Sequence, residues 1–213
     1  MRVSVLLLVA TLLAGCQSAY YSTMEKLGYE KRDLLVARVD DAREAQAEAG
    51  QQFRSALEQF QAVTGYQGGD LPATYERLRD QYEASDRRAE AVSKRIDEVE
   101  RVAKDLFAEW SKELDLYANP SLRASSERQL KDTRARYATL IEAMRRAEKR
   151  MQPVLTVFRD QVLFLKHNLN ARAIASLRDE LGRVEADVAA LVRDLDRSIA
   201  EAEAFVRELR AGS

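Results

Sequence analysis

Four long stretches of this chain repeat apolar residues at alternating gaps of three and four, the spacing that keeps one stripe of an α-helix turned toward a partner. The first stripe runs Val39, Ala42, Ala49, Phe53, Ala56, Phe60, Val63, and Gln46 falls on it. A polar residue at such a position sets register at some cost in stability. The second stripe is the most regular, with Tyr75, Leu78, Tyr82, Ser85, Ala89, Val92, Ile96, Val99, Ala103, Leu106 and Trp110 following one another without a slip. The third carries Leu130, Thr133, Tyr137, Leu140, Met144, Ala147, Met151, Val154, Phe158, Gln161 and Leu165. The fourth carries Ile174, Leu177, Leu181, Val184, Val188, Leu191, Leu195, Ser198, Ala202, Phe205 and Leu209. Between the stripes lie Glu, Arg, Lys and Asp in mixed order, which make a solvated face. A strict heptad repeat lags a straight helix by ~20° per heptad, so these seams predict left-handed supercoiling.

The breaks between stripes have their own chemistry. Three glycines in Gly65-Tyr66-Gln67-Gly68-Gly69 end a first helix expected over 22–64. No Lys-Ser/Thr follows them, so this is a turn rather than a phosphate loop. Asp70 is placed to cap a second helix over 71–118, with Pro72 in its first turn. Trp110, Leu114 and Tyr117 make a bulkier end that reads as core. Asn119-Pro120-Ser121 separates this helix from a third over 120–168, with Asn119 as its cap. Pro153 lies inside the third helix, where it is expected to bend rather than end it. Gly182 of the fourth helix falls at nearly the same height and is expected to give room for that bend.

The segment Lys166-His167-Asn168-Leu169-Asn170-Ala171-Arg172 has neither Gly nor Pro. Asn168 suits a left-handed C-cap and Asn170 an N-cap, so a tight turn is placed here before a fourth helix over 170–210. Short turns make successive helices antiparallel. The expected architecture is therefore all-α: an elongated antiparallel four-helix bundle with coiled-coil seams.

The first sixteen residues follow a different pattern. Arg2 precedes an apolar run from Val3 to Leu13, interrupted only by Ser4 and Thr11, and small residues follow in Leu13-Ala14-Gly15-Cys16. That is the layout of a secretory signal peptide, too short to span a bilayer as a helix. The tetrad resembles the lipobox of bacterial lipoproteins, in which the cysteine is acylated and becomes the first residue. Cys16 is also the sole cysteine, which suits a lipid anchor and excludes an intrachain disulfide. The expected organisation is a cleaved signal peptide over 1–15, a lipidated tether over 16–21 and a helical bundle over 22–213. Tyr20 and Tyr21 could sit at headgroup level or cap the base of the bundle. Gln17, rather than Asp, after the cysteine resembles lipoproteins sorted to the outer membrane.

Composition agrees with long helices, for only three prolines and eight glycines occur in 213 residues. The net charge is −1, and removing residues 1–15 takes away Arg2 and no acid, leaving −2. A near-neutral chain without a clustered basic surface is not expected to bind nucleic acid.

Several segments together resemble one family. They are Cys16-Gln-Ser-Ala-Tyr-Tyr-Ser-Thr-Met-Glu-Lys26, Gly68-Gly69-Asp70-Leu71, and the run from Phe158 to Ile174 with its central Leu-Lys-His-Asn-Leu-Asn-Ala-Arg. They resemble an uncharacterised bacterial lipoprotein family catalogued as domain of unknown function 2959. The resemblance spans essentially the whole mature chain and implies a lipoprotein, with no activity to carry over.

The residues offer little catalytic chemistry. One histidine, His167, cannot make a multi-histidine metal site, and the carboxylates follow a solvated helix pattern. No metal, cofactor or enzyme activity is expected. In an up-and-down bundle anchored at Cys16, the turns at 65–71 and 166–172 share the end far from the membrane. Loops on a rigid scaffold are where binding residues concentrate, so Tyr66, Asp70, Lys166, His167, Asn168, Asn170 and Arg172 are the candidate partner-binding residues. The same polar groups can equally satisfy helix ends. The expected function is a lipid-anchored periplasmic scaffold or spacer at the outer membrane, binding a protein or cell-wall partner. The alternative is a carrier of lipid or apolar peptide, with an enzyme using the tip further behind.

Overall fold

The computed structural model describes residues 31–66, 68, 70–168 and 170–211. Four helices account for nearly all of them: α1 Lys31–Thr64, α2 Leu71–Glu113, α3 Pro120–His167 and α4 Ala171–Ala211. The signal peptide, Cys16, the tether with Tyr20 and Tyr21, and the expected start of the first helix at 22 lie outside the described residues.

The helices form an elongated antiparallel four-helix bundle. Neighbours in space are α1 with α2, α2 with α3, α3 with α4, and α4 with α1. Cross-links between charged faces establish each antiparallel pairing. Lys31 reaches Glu109 and Arg88 reaches Glu48 between α1 and α2, whereas Gln61 meets Glu185 and Arg43 meets Glu203 between α1 and α4. Arg145 meets Asp97 and Arg134 meets Ser111 between α2 and α3, and Arg136 meets Glu208 and Arg150 meets Asp194 between α3 and α4. With 48 residues in α3, the body is about 70 Å long.

Helix ends are set by local chemistry. Asp70 Oδ1 accepts the Ala73 amide at 3.0 Å, with Pro72 in the first turn of α2. Asn119 Oδ1 accepts the Ser121 and Leu122 amides, and Pro120 opens α3, where its missing N–H costs nothing. The second helix stops earlier than expected, at Glu113, and a 3₁₀ turn over Leu114–Leu116 completes it. α3 runs through Pro153 without a break. Gly68 turns with φ 138°, a backbone conformation that glycine adopts without strain.

The seams are the core. Val39, Ala42, Ala49, Phe53, Phe60, Leu78, Val92, Ile96, Met144, Met151, Phe158, Leu165, Leu177 and Leu191 are all buried in one cluster. Gln46 is fully buried on its seam, and Ser198 Oγ donates to its Oε1 at 2.9 Å. Its Nε2 has no hydrogen-bond partner among the described residues, which is the expected cost of a polar group in a seam. Between α2 and α3, Arg145 binds Asp97, Glu100 and Glu148 together. The Glu100 hydrogen bonds, more than any other contact, push its guanidinium further toward the charged form.

The structure refines or corrects several further expectations, although Leu181 does pack against the core as its seam position implies. Leu181 and Gln161 are only half-buried, because wide helix faces rather than narrow stripes meet the core, and Leu155 and Val162 are buried beside the expected seam of α3. Tyr117 is exposed rather than core, since it lies past the end of α2. Asn168 takes φ −133°, not a left-handed conformation. Gly182 does not make room for Pro153: it is exposed, and a Cβ added there would meet nothing within 4 Å.

Candidate functional site

The turns between α1 and α2 and between α3 and α4 lie at the same end of the rod. Arg178 of α4 joins them to α1: its Nε donates to the Thr64 carbonyl at 2.6 Å and its Nη2 reaches the Tyr66 carbonyl at 3.5 Å. The last turn of α1 has no basic residue, so its carbonyls, which attract positive charge, are met by a cation from another helix. The sequence reading did not single out Arg178. The missing cation at the end of α1 was the available signal, but which helix supplies it depends on how the helices align.

Three of the seven candidate residues satisfy helix ends. Asp70 caps α2, as described above. Asn170 Oδ1 accepts the Arg172 and Ala173 amides at the start of α4. Asn168 Nδ2 donates to the Phe164 carbonyl at 2.9 Å, and its own amide donates to the Leu165 carbonyl. These side chains stabilise the scaffold. Lys166, His167 and Arg172 are exposed, and the first two stand in the last turn of α3, where positive charge is favourable. Tyr66 is half-buried, and its carbonyl takes part in the Arg178 bridge.

Beside Lys166 and His167 lie two residues that the sequence reading left out, Leu163 and Phe164, both exposed. They stand off the three-and-four seam that Phe158 and Leu165 occupy, and apolar residues off a seam are the signal that marks them. The outer face of the last turns of α3 therefore presents an aliphatic and an aromatic side chain next to two nitrogen-bearing ones. Such a face can bind a partner by apolar contact with polar orientation.

Two concave sites lie among the described residues away from this end. A cleft of about 360 Å³ between α2 and α3 is lined by Ala89 and Met151 but also by Glu90, Ser93, Glu148, Lys149 and Gln152. A smaller one of about 150 Å³ lies near Trp110 and Phe205, with Arg32, Asp132, Arg136 and Glu208 around it. Trp110 Nε1 donates to Ser126 Oγ at 2.8 Å, so the indole is fixed as part of the helix contact. Among the described residues no group of three or more His, Cys, Asp or Glu could hold a metal ion. None of their helices is long and apolar enough to cross a membrane.

Residues 20–209 match the family described as protein of unknown function (DUF2959). That match covers most of the chain, and the chain belongs to this family. No curated protein and no solved structure matches it.

Proposed function

We propose that this protein is a lipid-anchored spacer of the bacterial envelope, held at the outer membrane through Cys16 and binding another envelope component at its two-turn end. It acts by holding and positioning, not by catalysis. The observation that carries this reading is where apolar surface is left uncovered. Among the described residues, the exposed large hydrophobic side chains are Leu116, Tyr117 and Leu122 at one end of the rod and Leu163 and Phe164 near the other. The body between them, about 70 Å of helix, shows solvent a mixed-charge face. Uncovered apolar groups confined to the ends of a rigid rod suit a part that touches something at each end.

The carrier reading finds less support. A lipid or apolar peptide calls for an apolar cavity, whereas the apolar side chains of the seams are buried against one another.

Photo-crosslinking residues placed at Phe164, at His167 and at the exposed mid-body Arg101 test the binding end. One partner is expected from the first two positions and not from the third. Equal capture along the body, or none at the end, would remove the reading. A rod shortened by one heptad in every helix at equal height brings the end ~10 Å closer to the anchor while keeping the seams in phase. Full function of that well-folded variant would argue against a spacer.

A further inference from the structure

The apolar cluster at the α2–α3 turn stands apart from the candidate partner-binding end. Leu116 is 81% exposed, Leu122 56% and Tyr117 42%, all within seven residues of chain. Eleven of the nineteen described leucines are buried and five more are half-buried, so an exposed pair beside an exposed tyrosine needs a counterpart. The charges around the turn are Lys112, Glu113, Asp115 and Arg123, which balance to zero, and Arg123 Nη2 donates to Asp115 Oδ1 at 3.0 Å. A neutral turn tipped with leucine and tyrosine is chemically suited to the headgroup and upper acyl region of a bilayer, where amphipathic rings and short apolar chains are favoured.

Position gives the occupant. Lys31, where α1 begins among the described residues, pairs with Glu109 of α2 at 2.7 Å. From Glu109 the chain continues for one more turn of α2 and the 3₁₀ turn before it reverses, so the α2–α3 turn lies about 12 Å beyond the level of Lys31. Fourteen residues separate Cys16 from Lys31, and the fifteen steps of chain span at most about 50 Å. An acylated Cys16 can therefore lie in the same plane as this turn. The other end of α1 is about 50 Å away from Lys31, on the far side of the body.

We propose that the α2–α3 turn rests on the phospholipid surface, with Leu116, Tyr117 and Leu122 entering the headgroup region beside the acylated Cys16. This rests on the anchor reading and adds a second contact to it. Two contacts on one surface restrict the angle of a rod more than a single point of attachment does. The three side chains thus set the direction in which the opposite end points.

Acylation leaves Cys16 without a free thiol, so single cysteines introduced as Leu116→Cys, Leu122→Cys and Leu163→Cys can each carry one fluorophore. The full-length protein is placed on vesicles of phosphatidylethanolamine and phosphatidylglycerol that contain a bilayer-embedded nitroxide quencher. Labels at 116 and 122 are expected to be quenched several-fold more than the label at 163, and shielded from iodide added to the water. Vesicle-bound, acylated protein whose labels at 116 and 122 escape the nitroxide but meet iodide overturns the contact and leaves the anchor standing. Shielding from both quenchers also overturns it, because protein, either residues 17–30 of the same chain or a second copy, then covers the cluster. Where mass spectrometry finds no acyl group on Cys16, the labels go into a Cys16→Ser chain, and nitroxide quenching there removes the anchor and keeps the contact. A chain with neither acyl group nor quenching removes both.

Discussion

The two ends of this rod solve the same problem, how to finish helices that have run out of partners, in different ways. At the two-turn end the core continues almost to the last residue. Phe60, Val63, Phe158, Leu165 and Leu177 are all buried, and Asp70, Asn168, Asn170 and Arg178 bind backbone groups at the helix termini. At the hairpin end α2 and α3 run on together past the first described residues of α1, and the last deeply buried leucine of α3 toward that end is Leu130. Beyond it Trp110, Ser126 and Asn119 are tied by hydrogen bonds, yet Leu116, Tyr117 and Leu122 face outward. Four helices can enclose a core; two cannot, because a helix pair leaves half of each apolar face open. Among the described residues, one end is therefore closed by buried side chains and capped termini, and the other leaves three large side chains exposed.

The sharpest way to break this contrast is to cut one large side chain from each end. Phe158→Ala leaves a cavity among residues that cannot collapse fully and is expected to cost about 3–5 kcal/mol, read as a shift in the denaturant midpoint. Leu122→Ala should change stability by less than ~0.5 kcal/mol, as exposed substitutions do. Comparable losses at both sites would mean that the hairpin end is packed after all.

Removing the bridge at the stable end is the next largest change. Arg178→Ala leaves the Thr64 carbonyl without its charged donor and should cost about 1–2 kcal/mol. Hydrogen exchange should quicken first in the last turn of α1, with the Trp110 end unaffected. Uniform acceleration would show that Arg178 does not act locally.

Tyr137 marks the inner boundary of the hairpin end, between the rings of Phe107 and Phe205. Burial, helped by Glu100, pushes its phenol up to about 12 from an ordinary 10.0. The unfolded chain therefore loses this proton first as the pH rises past 10. Its contribution to stability is complete below about pH 10 and is lost between there and about pH 12. The side chain is only partly buried, so solvent screening makes the effect smaller than the shift alone would suggest. Tyr137→Phe is expected to flatten the fall in melting temperature over that range. An unchanged slope would place the ring in solvent.

The smallest effect separates a glycine that the fold uses from one that it does not. Gly182→Ala on the exposed face of α4 should raise stability by up to ~1 kcal/mol, since open space surrounds the position and glycine is a poor helix former. A loss instead would revive its role opposite Pro153.

Hydrophobic spacing alone was enough to determine that this protein is four antiparallel helices, because gaps of three and four leave each helix one face to bury and short capped turns leave one way to bring those faces together. Asp70, Asn119 and Asn170 were legible as caps for the same reason: a cap acts on amides two or three residues away and needs nothing from the rest of the fold. What the tertiary structure decided is whatever depends on how far each helix extends past its neighbours. The seam spacing places Leu181 as well as Leu191, yet only the second is fully enclosed. Tyr117 reads as core until α2 is seen to end before it, and Leu163 and Phe164 gained meaning only once the outer face of α3 was open to solvent. Arg178 became a bridge because α4 passes the end of α1 at that height. A repeat specifies which face of a helix is buried, whereas axial offset between helices, set by turn length and by the packing of all four together, decides where burial stops and exposed chemistry begins.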